Sequence, residues 1–186
     1  MGQRLPRKTL EGFNYSAAPF SQQHQRPPTP PSRLGGDRLC AAVAAVNRLG
    51  APVIVVSLGT ATVVDAVSVP REFLGGAIAI GVSLGLEALH DRTAVLPRVR
   101  AEAPRRSIGQ TTEECLQVGA VLGTAALVEG LVARMRAEIG PAQVALTGGN
   151  AALIAPHLRL GGEGEWGVYP TLVLEGAGLI WEHHHP

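Results

Sequence analysis

The stretch VIVVSLGTATVVDAV, Val53–Val67, decides how the rest of the chain is read. Its first five residues are an apolar, β-branched run, Ser57-Leu58-Gly59-Thr60 is a tight turn, and Ala61–Val67 is a second run of the same kind. The pattern predicts two strands joined by a short turn. Gly59 lets the backbone bend and lets a ligand come close. Backbone N–H groups at such a turn point outward and favour an anion, and Thr60 and Thr62 add hydroxyl donors for a phosphate oxygen. An ordinary hairpin, with threonine chosen for strand propensity, explains the same residues equally well.

Working outward, a third strand is expected at 74–80, so that 53–57, 61–68 and 74–80 form an antiparallel meander. Ahead of it, Asp37–Leu49 reads as a helix with Leu39, Val43, Val46 and Leu49 near one face, ended by Gly50 and Pro52. Behind it come a short helix at 82–90 and a loop at 97–107 carrying Arg98, Arg100, Arg105 and Arg106. The longest element is a helix from Thr112 to Glu138. Leu116, Ala120, Gly123, Leu127, Leu131 and Met135 recur at helical spacing, and Val121, Val128 and Val132 widen the stripe. Burial on two sides is expected, with Gly119 and Gly123 admitting a second backbone. Gly140-Pro141 ends this helix. A strand at 143–147, a helix at 150–158, a strand at 166–169 and a helix at 171–182 with Pro170 at its start complete the order. Three antiparallel strands followed by helix-linked strands make a layered α/β domain.

Composition bounds the class. The 186 residues suit one domain, and 46% hydrophobic content with only 4% aromatics predicts a core of Ala, Val, Leu and Ile. Residues 1–34 hold five basic residues and one acid, against eleven and fourteen in 35–186, so the folded part is mildly acidic. That excludes a general nucleic-acid footprint. The leader, residues 1–34, is proline-rich and lacks hydrophobic periodicity, and disorder is expected there. Cys40 and Cys115 fall in predicted helices without metal-type spacing and read as buried free thiols. No apolar run approaching the length of a membrane span and no signal-peptide core is evident. A soluble cytoplasmic protein is the expectation, with no membrane partner.

Several short motifs carry candidate chemistry. In GGDR, Gly35–Arg38, Asp37 reads either as a cap of the following helix or as a carboxylate that orients a hydroxyl and takes its proton. Arg38 beside it suits a bidentate grip on a substrate carboxylate. Thr111 and Thr112 followed by Glu114 look like a capping sequence. Gly148-Gly149 follows a strand, where a strand-to-helix turn often needs glycine. His183–His185 reads as a frayed terminus in preference to a metal tract.

The Gly35–Arg38 motif, VIVVSLGTATVVDAV, GGAIAIG (Gly75–Gly81), LHDRTAVLPRV (Leu89–Val99), IGQTTEECLQVG (Ile108–Gly119), LTGG (Leu146–Gly149) and LVLEG (Leu172–Gly176) stand in one order. In that order the chain, over about residues 35–182, resembles the type III pantothenate kinases of the actin-like superfamily. The resemblance implies a ribonuclease-H-like domain, a mixed sheet with an antiparallel three-stranded edge and flanking helices. It implies ATP-dependent phosphorylation of pantothenate in coenzyme A biosynthesis. Asp37 would be the catalytic base, with Gly35, Gly36, Asp37, Arg38 and Thr112 at pantothenate and Gly59, Thr60, Gly148 and Gly149 at ATP. Magnesium would accompany ATP, and Thr112 would reach the pantothenate site of a second protomer, so a homodimer is implied.

Ser57 stands where the family has an aspartate that holds potassium or ammonium, and a neutral hydroxyl is a weaker ligand for a hard cation. Val63 and Ile80 replace the family's threonine and proline, while Asp65 is kept. The family's opening strand with a DxGNT-type turn, and an aromatic shortly before GxDR, have no counterpart before Gly35. The chain therefore reads as the second lobe of such a kinase behind an unrelated leader, and by itself is expected to be a poor kinase or none. A non-catalytic accessory relative and a different small-molecule kinase are the competing functions.

Overall fold

In the computed structural model, which describes residues 34–161 and 164–185, the opening stretch forms the expected hairpin. Strand β1 (Val53–Leu58) runs antiparallel to β2 (Ala61–Ser68), with Val53 opposite Val67 and Leu58 opposite Thr62. Strand β3 (Glu72–Ile80) pairs antiparallel with β2. On the other side of β1, β4 (Gln143–Thr147) and then β5 (Trp166–Val168) add parallel strands, giving the order β3-β2-β1-β4-β5. The three-stranded antiparallel edge is therefore where the residue pattern put it.

Period-two alternation divides β1 between two cores. Ile54, Val56 and Leu58, with Val64 of β2, pack with Val121 and Val128 on one face of the sheet. Val53 and Val55, with Val67, pack with Ala41, Ala42 and Ala45 on the other. A strand buried on both faces has no polar side, which explains the unbroken apolar run at its start. Helices α2 (Val82–Arg92), α3 (Thr112–Ile139) and α4 (Ala151–Ile154) belong to the first face, and α1 (Gly36–Leu49) and α5 (Leu172–His184) to the second.

Burial of α1 differs from the one-sided reading. Every residue from Ala41 to Val46 is buried, because α5 lies across the helix. The approach is close: a Cβ on Gly176 would strike the Cys40 carbonyl oxygen. Leu34, which the composition assigned to the leader, packs against this core. The expectation of disorder for the rest of the leader lies outside the described residues.

The long helix corrects a second expectation. Within this chain α3 buries a single stripe, Val121, Ala125, Val128 and Val132. The residues first picked out by period, Leu116 through Met135, flank that stripe or face outward, and Leu127 is exposed. A Cβ added at Gly119 or Gly123 would meet nothing within 4 Å, so no second backbone approaches them here. The physical reason is that the sheet supplies only one surface for α3 to cover. Contrary to the sequence reading, α3 is long and apolar enough to cross a membrane by length and composition. Its valine stripe packs on the sheet, and much of the rest of its apolar surface faces outward.

Smaller corrections follow from local chemistry. Helix α4 stops at Ile154 and passes into a 3-10 turn at Ala155–His157, because Pro156 cannot donate an α-helical hydrogen bond. Pro170 lies one residue before the α5 N-cap, Thr171, and not inside the helix. Cys40 is half-buried and Cys115 exposed, so the reading of two buried thiols does not hold. His183 and His184 continue α5 instead of fraying, and His185 stacks on Trp181 with ring centroids 4.9 Å apart.

Candidate active site

The first group of residues sits at the start of α1. Gly35 is the N-cap and offers no side-chain cap, while Asp37 lies inside the first turn. The capping reading of Asp37 is therefore replaced by a first-turn acid facing the positive end of the helix dipole. Its carboxylate folds back, with Oδ1 2.6 Å from where a Gly35 Cβ would stand. Gly35 is needed for that space; Gly36 has open surroundings. Asp37 itself is exposed.

Arg38 spends one edge of its guanidinium inside the protein. Its Nε donates to Asp65 Oδ2 at 3.1 Å and its Nη2 donates to Asp65 Oδ1. Asp65 is only 2% exposed. The guanidinium also lies over the Phe73 ring, 5.6 Å from its centroid. Hydrogen bonding to Asp65 pushes the Arg38 pKa above its ordinary value, against the opposing effect of burial. Gly76, the ladder partner of Asp65, makes room for this pair: a Cβ there would stand 2.7 Å from Asp65 Oδ1. The role of Asp65 was missed by the sequence reading. The available signal was a lone acid inside an apolar strand, which is rare unless paired.

The second group surrounds the β1–β2 turn. Gly59 N donates to Ala61 O at 3.0 Å, so this amide is spent inside the turn and not offered to an anion. Thr60 is exposed, and its carbonyl accepts from Gly81 N at 2.9 Å. Gly148 has φ 98° and packs so tightly that a Cβ would come 2.5 Å from Leu58 O. Asn150 then closes the junction: its backbone N donates to Leu58 O at 2.9 Å and its Nδ2 to Gly59 O at 3.3 Å. The structure thus brings Gly59 and Thr60 beside Gly148 and Gly149, and leaves exposed Gly149 with open space above it. Asn150 was not foreseen; a polar residue directly after Gly-Gly was its only trace.

Ser57 is half-buried, opposite Val63 on β2 and Thr147 on β4, on the sheet face that carries Val55 and Asp65. Among the described residues no cluster of three or more His, Cys, Asp or Glu could hold a metal ion. Thr62 Oγ1 is buried without a partner. Thr112 is the exposed first residue of α3, and none of the hydrogen bonds at that helix start joins it to either group. There Thr111 is the N-cap, accepting from Glu114 N at 3.2 Å as the capping sequence predicted, while Glu114 Oε2 accepts from Gln110 N at 2.7 Å, one residue ahead of the cap.

A mixed sheet of this order, with helices on both faces and glycine turns where two neighbouring parallel strands end, is the ribonuclease-H-like domain of the actin-like class. A solved chain described as a Baf family transcriptional activator from Campylobacter jejuni shares the fold, with a TM-score of 0.59 at 21% identity over 86% of this chain and 69% of that one. The type III pantothenate kinase family profile matches residues 24–134, more than half of the chain, and the chain belongs to that family. It is 51% identical over 127 residues to a type III pantothenate kinase of Thermomicrobium roseum, covering 68% of this chain and 49% of the relative. It is 43% identical over 155 residues to one of Moorella thermoacetica, covering 83% and 59%. The chain therefore spans about half the length of the curated relatives it matches.

Proposed function

We propose that the chain carries the substrate-side lobe of a type III pantothenate kinase, serving the reaction ATP + pantothenate → ADP + 4′-phosphopantothenate in coenzyme A biosynthesis. The observation that carries this reading is the Gly35–Arg38 turn. Its exposed Asp37 carboxylate stands on a turn tied through Arg38 to the sheet, inside the region that matches the family. In the transfer, the pantothenate hydroxyl oxygen bonds to the γ-phosphorus. The bond from that phosphorus to the β,γ-bridging oxygen breaks, and ADP leaves with the electron pair. Asp37 accepts the hydroxyl hydrogen bond and takes the proton late, so an ordinary carboxylate suffices.

Asp65 takes the Nε–Nη2 edge of Arg38, so the remaining N–H groups of Nη1 and Nη2 would meet the pantothenate carboxylate. Thr60 offers a hydroxyl to a phosphate oxygen, and Gly59, Gly148 and Gly149 line the nucleotide side. The same reading includes magnesium arriving with ATP, a cytoplasmic setting, no nucleic-acid or membrane partner, and a homodimer formed on the outer face of α3. Gly119 and Gly123 leave that face open, and Thr112 of one protomer would reach the pantothenate of the other. At the family's position for a monovalent cation Ser57 would offer a neutral hydroxyl, a weaker ligand than the carboxylate it replaces.

Ser57 and the spent Gly59 amide favour a second reading, a non-catalytic accessory relative. A coupled ADP assay with purified protein, saturating ATP, pantothenate, magnesium and potassium separates the two. The expected turnover of this chain alone lies far below the ~1–100 s⁻¹ of ordinary kinases. In any form that turns over, Asp37→Asn should lower kcat by about 10²–10⁴. A panel of other alcohols tests for a different small-molecule kinase. Calorimetric titration that detects neither ATP nor pantothenate binding would sink the kinase reading altogether.

A further inference from the structure

We propose that Asp65 is a positioning residue: through Arg38 it fixes the first turn of α1, and with it the place of the Asp37 carboxylate. The inference rests on the reading of Asp37 as the group that orients the acceptor hydroxyl.

Among the described residues, the first turn of α1 has little else to hold it. Its N-cap is a glycine without a side-chain cap, and a second glycine follows. Its first two amide hydrogen bonds, from Arg38 N at 3.1 Å and Leu39 N at 3.2 Å, both end on the Gly35 carbonyl. A turn that begins with two glycines loses the most chain entropy on ordering and frays most easily. From Cys40 onward the helix is clamped by α5 at Gly176. The stretch that carries Asp37 lies ahead of that clamp.

Asp65 provides a rigid anchor for it. The residue is in the middle of β2, paired with Val55 on one side and Gly76 on the other, and almost fully buried. Two parallel hydrogen bonds fix a guanidinium in rotation as well as position. Phe73 supports the guanidinium from its ring face. The pair joins residues 27 positions apart, so it ties a helix end to the sheet and does not merely reinforce local structure. The absence of a side chain at Gly76 leaves room for the carboxylate where Arg38 meets it. Since small misplacement of a reacting group is costly in rate, a fixed first turn has a catalytic consequence.

The test compares wild-type chain with Arg38→Lys, which keeps the charge but offers no fork, and Asp65→Asn, which keeps the shape but removes the charge. Residue-resolved amide hydrogen exchange is measured on each, without ligand, and pantothenate affinity is measured by titration. Exchange at positions 38 and 39 should rise in both variants about tenfold or more beyond any rise at Ala42–Ala45. Pantothenate affinity should fall about tenfold in both. Unchanged exchange at 38 and 39 would overturn the proposal. So would a uniform rise across α1 and the sheet, which marks a purely structural pair, or unchanged affinity despite a loosened turn. If the wild-type chain binds no pantothenate, the proposed function fails, and the exchange pattern alone still decides the role of Asp65.

Discussion

Replacing Arg38 with methionine removes the guanidinium and keeps most of the stem over Phe73. It leaves the Asp65 carboxylate, 2% exposed on a strand between Val55 and Gly76, without its counter-charge. Removing one partner of a buried ion pair costs about 3–5 kcal/mol for that reason. The reverse change is cheaper. Asp65→Asn leaves Arg38, whose side chain is 19% exposed and can reach water, and the amide oxygen still accepts one hydrogen bond. A loss of about 1–3 kcal/mol follows. At about 2–4 °C per kcal/mol for a chain of this size, Arg38→Met should lower Tm by about 6–20 °C and Asp65→Asn by about 2–12 °C. Urea unfolding followed by circular dichroism gives both free energies, provided the m-values agree. The double variant should lose less than the sum of the singles. An Arg38→Met loss under about 1 kcal/mol, or one smaller than that of Asp65→Asn, would refute the burial argument.

The remaining predictions concern the turns and the thiols. Gly148→Ala should cost about 2 kcal/mol or more, from strain at φ 98° and contact with Leu58 O, whereas Gly149→Ala, in open space, should cost under about 0.5 kcal/mol; equal losses in urea unfolding would contradict the packing. The Glu114 pKa is lowered from 4.5, chiefly by the hydrogen bond from Gln110 N, so the α3 cap is fully present above pH 4.5 and is lost as pH falls through the depressed value. Amide resonances of Gln110 and Glu114, followed from about pH 6 down to about pH 3 across the carboxylate range, should report that loss, and Glu114→Gln should abolish the pH dependence. Burial first, and then the charge of Asp37, raise the Cys40 thiol pKa, while Cys115 is exposed. Iodoacetamide should therefore label Cys115 well before Cys40, as mass spectrometry of timed samples would show; equal rates would mean α1 and α5 separate readily.

The sequence by itself determined the elements and their order. Strand and helix boundaries follow local rules: β-branched runs, glycine and proline stops, and a capping sequence at Thr111–Glu114. Those rules act over a few residues, so β1, β4 and the start of α3 fell where the pattern put them. The family's motifs likewise marked Asp37, Thr60 and Gly148-Gly149. What covers each element is a different matter, because a periodic stripe says that a face is apolar and not which neighbour meets it. Hence α1 is enclosed by α5, and α3 buries its valine stripe alone and leaves its glycines open. Pairing between distant polar groups was equally out of reach. Arg38 read only as a grip for a substrate until the fold placed Asp65 against one edge of it, and Asn150, at the start of a helix, had no partner in view until β4 came to lie beside β1. Hydrogen-bond partners 27 and 91 positions apart are set by strand register, and register is a property of the whole sheet.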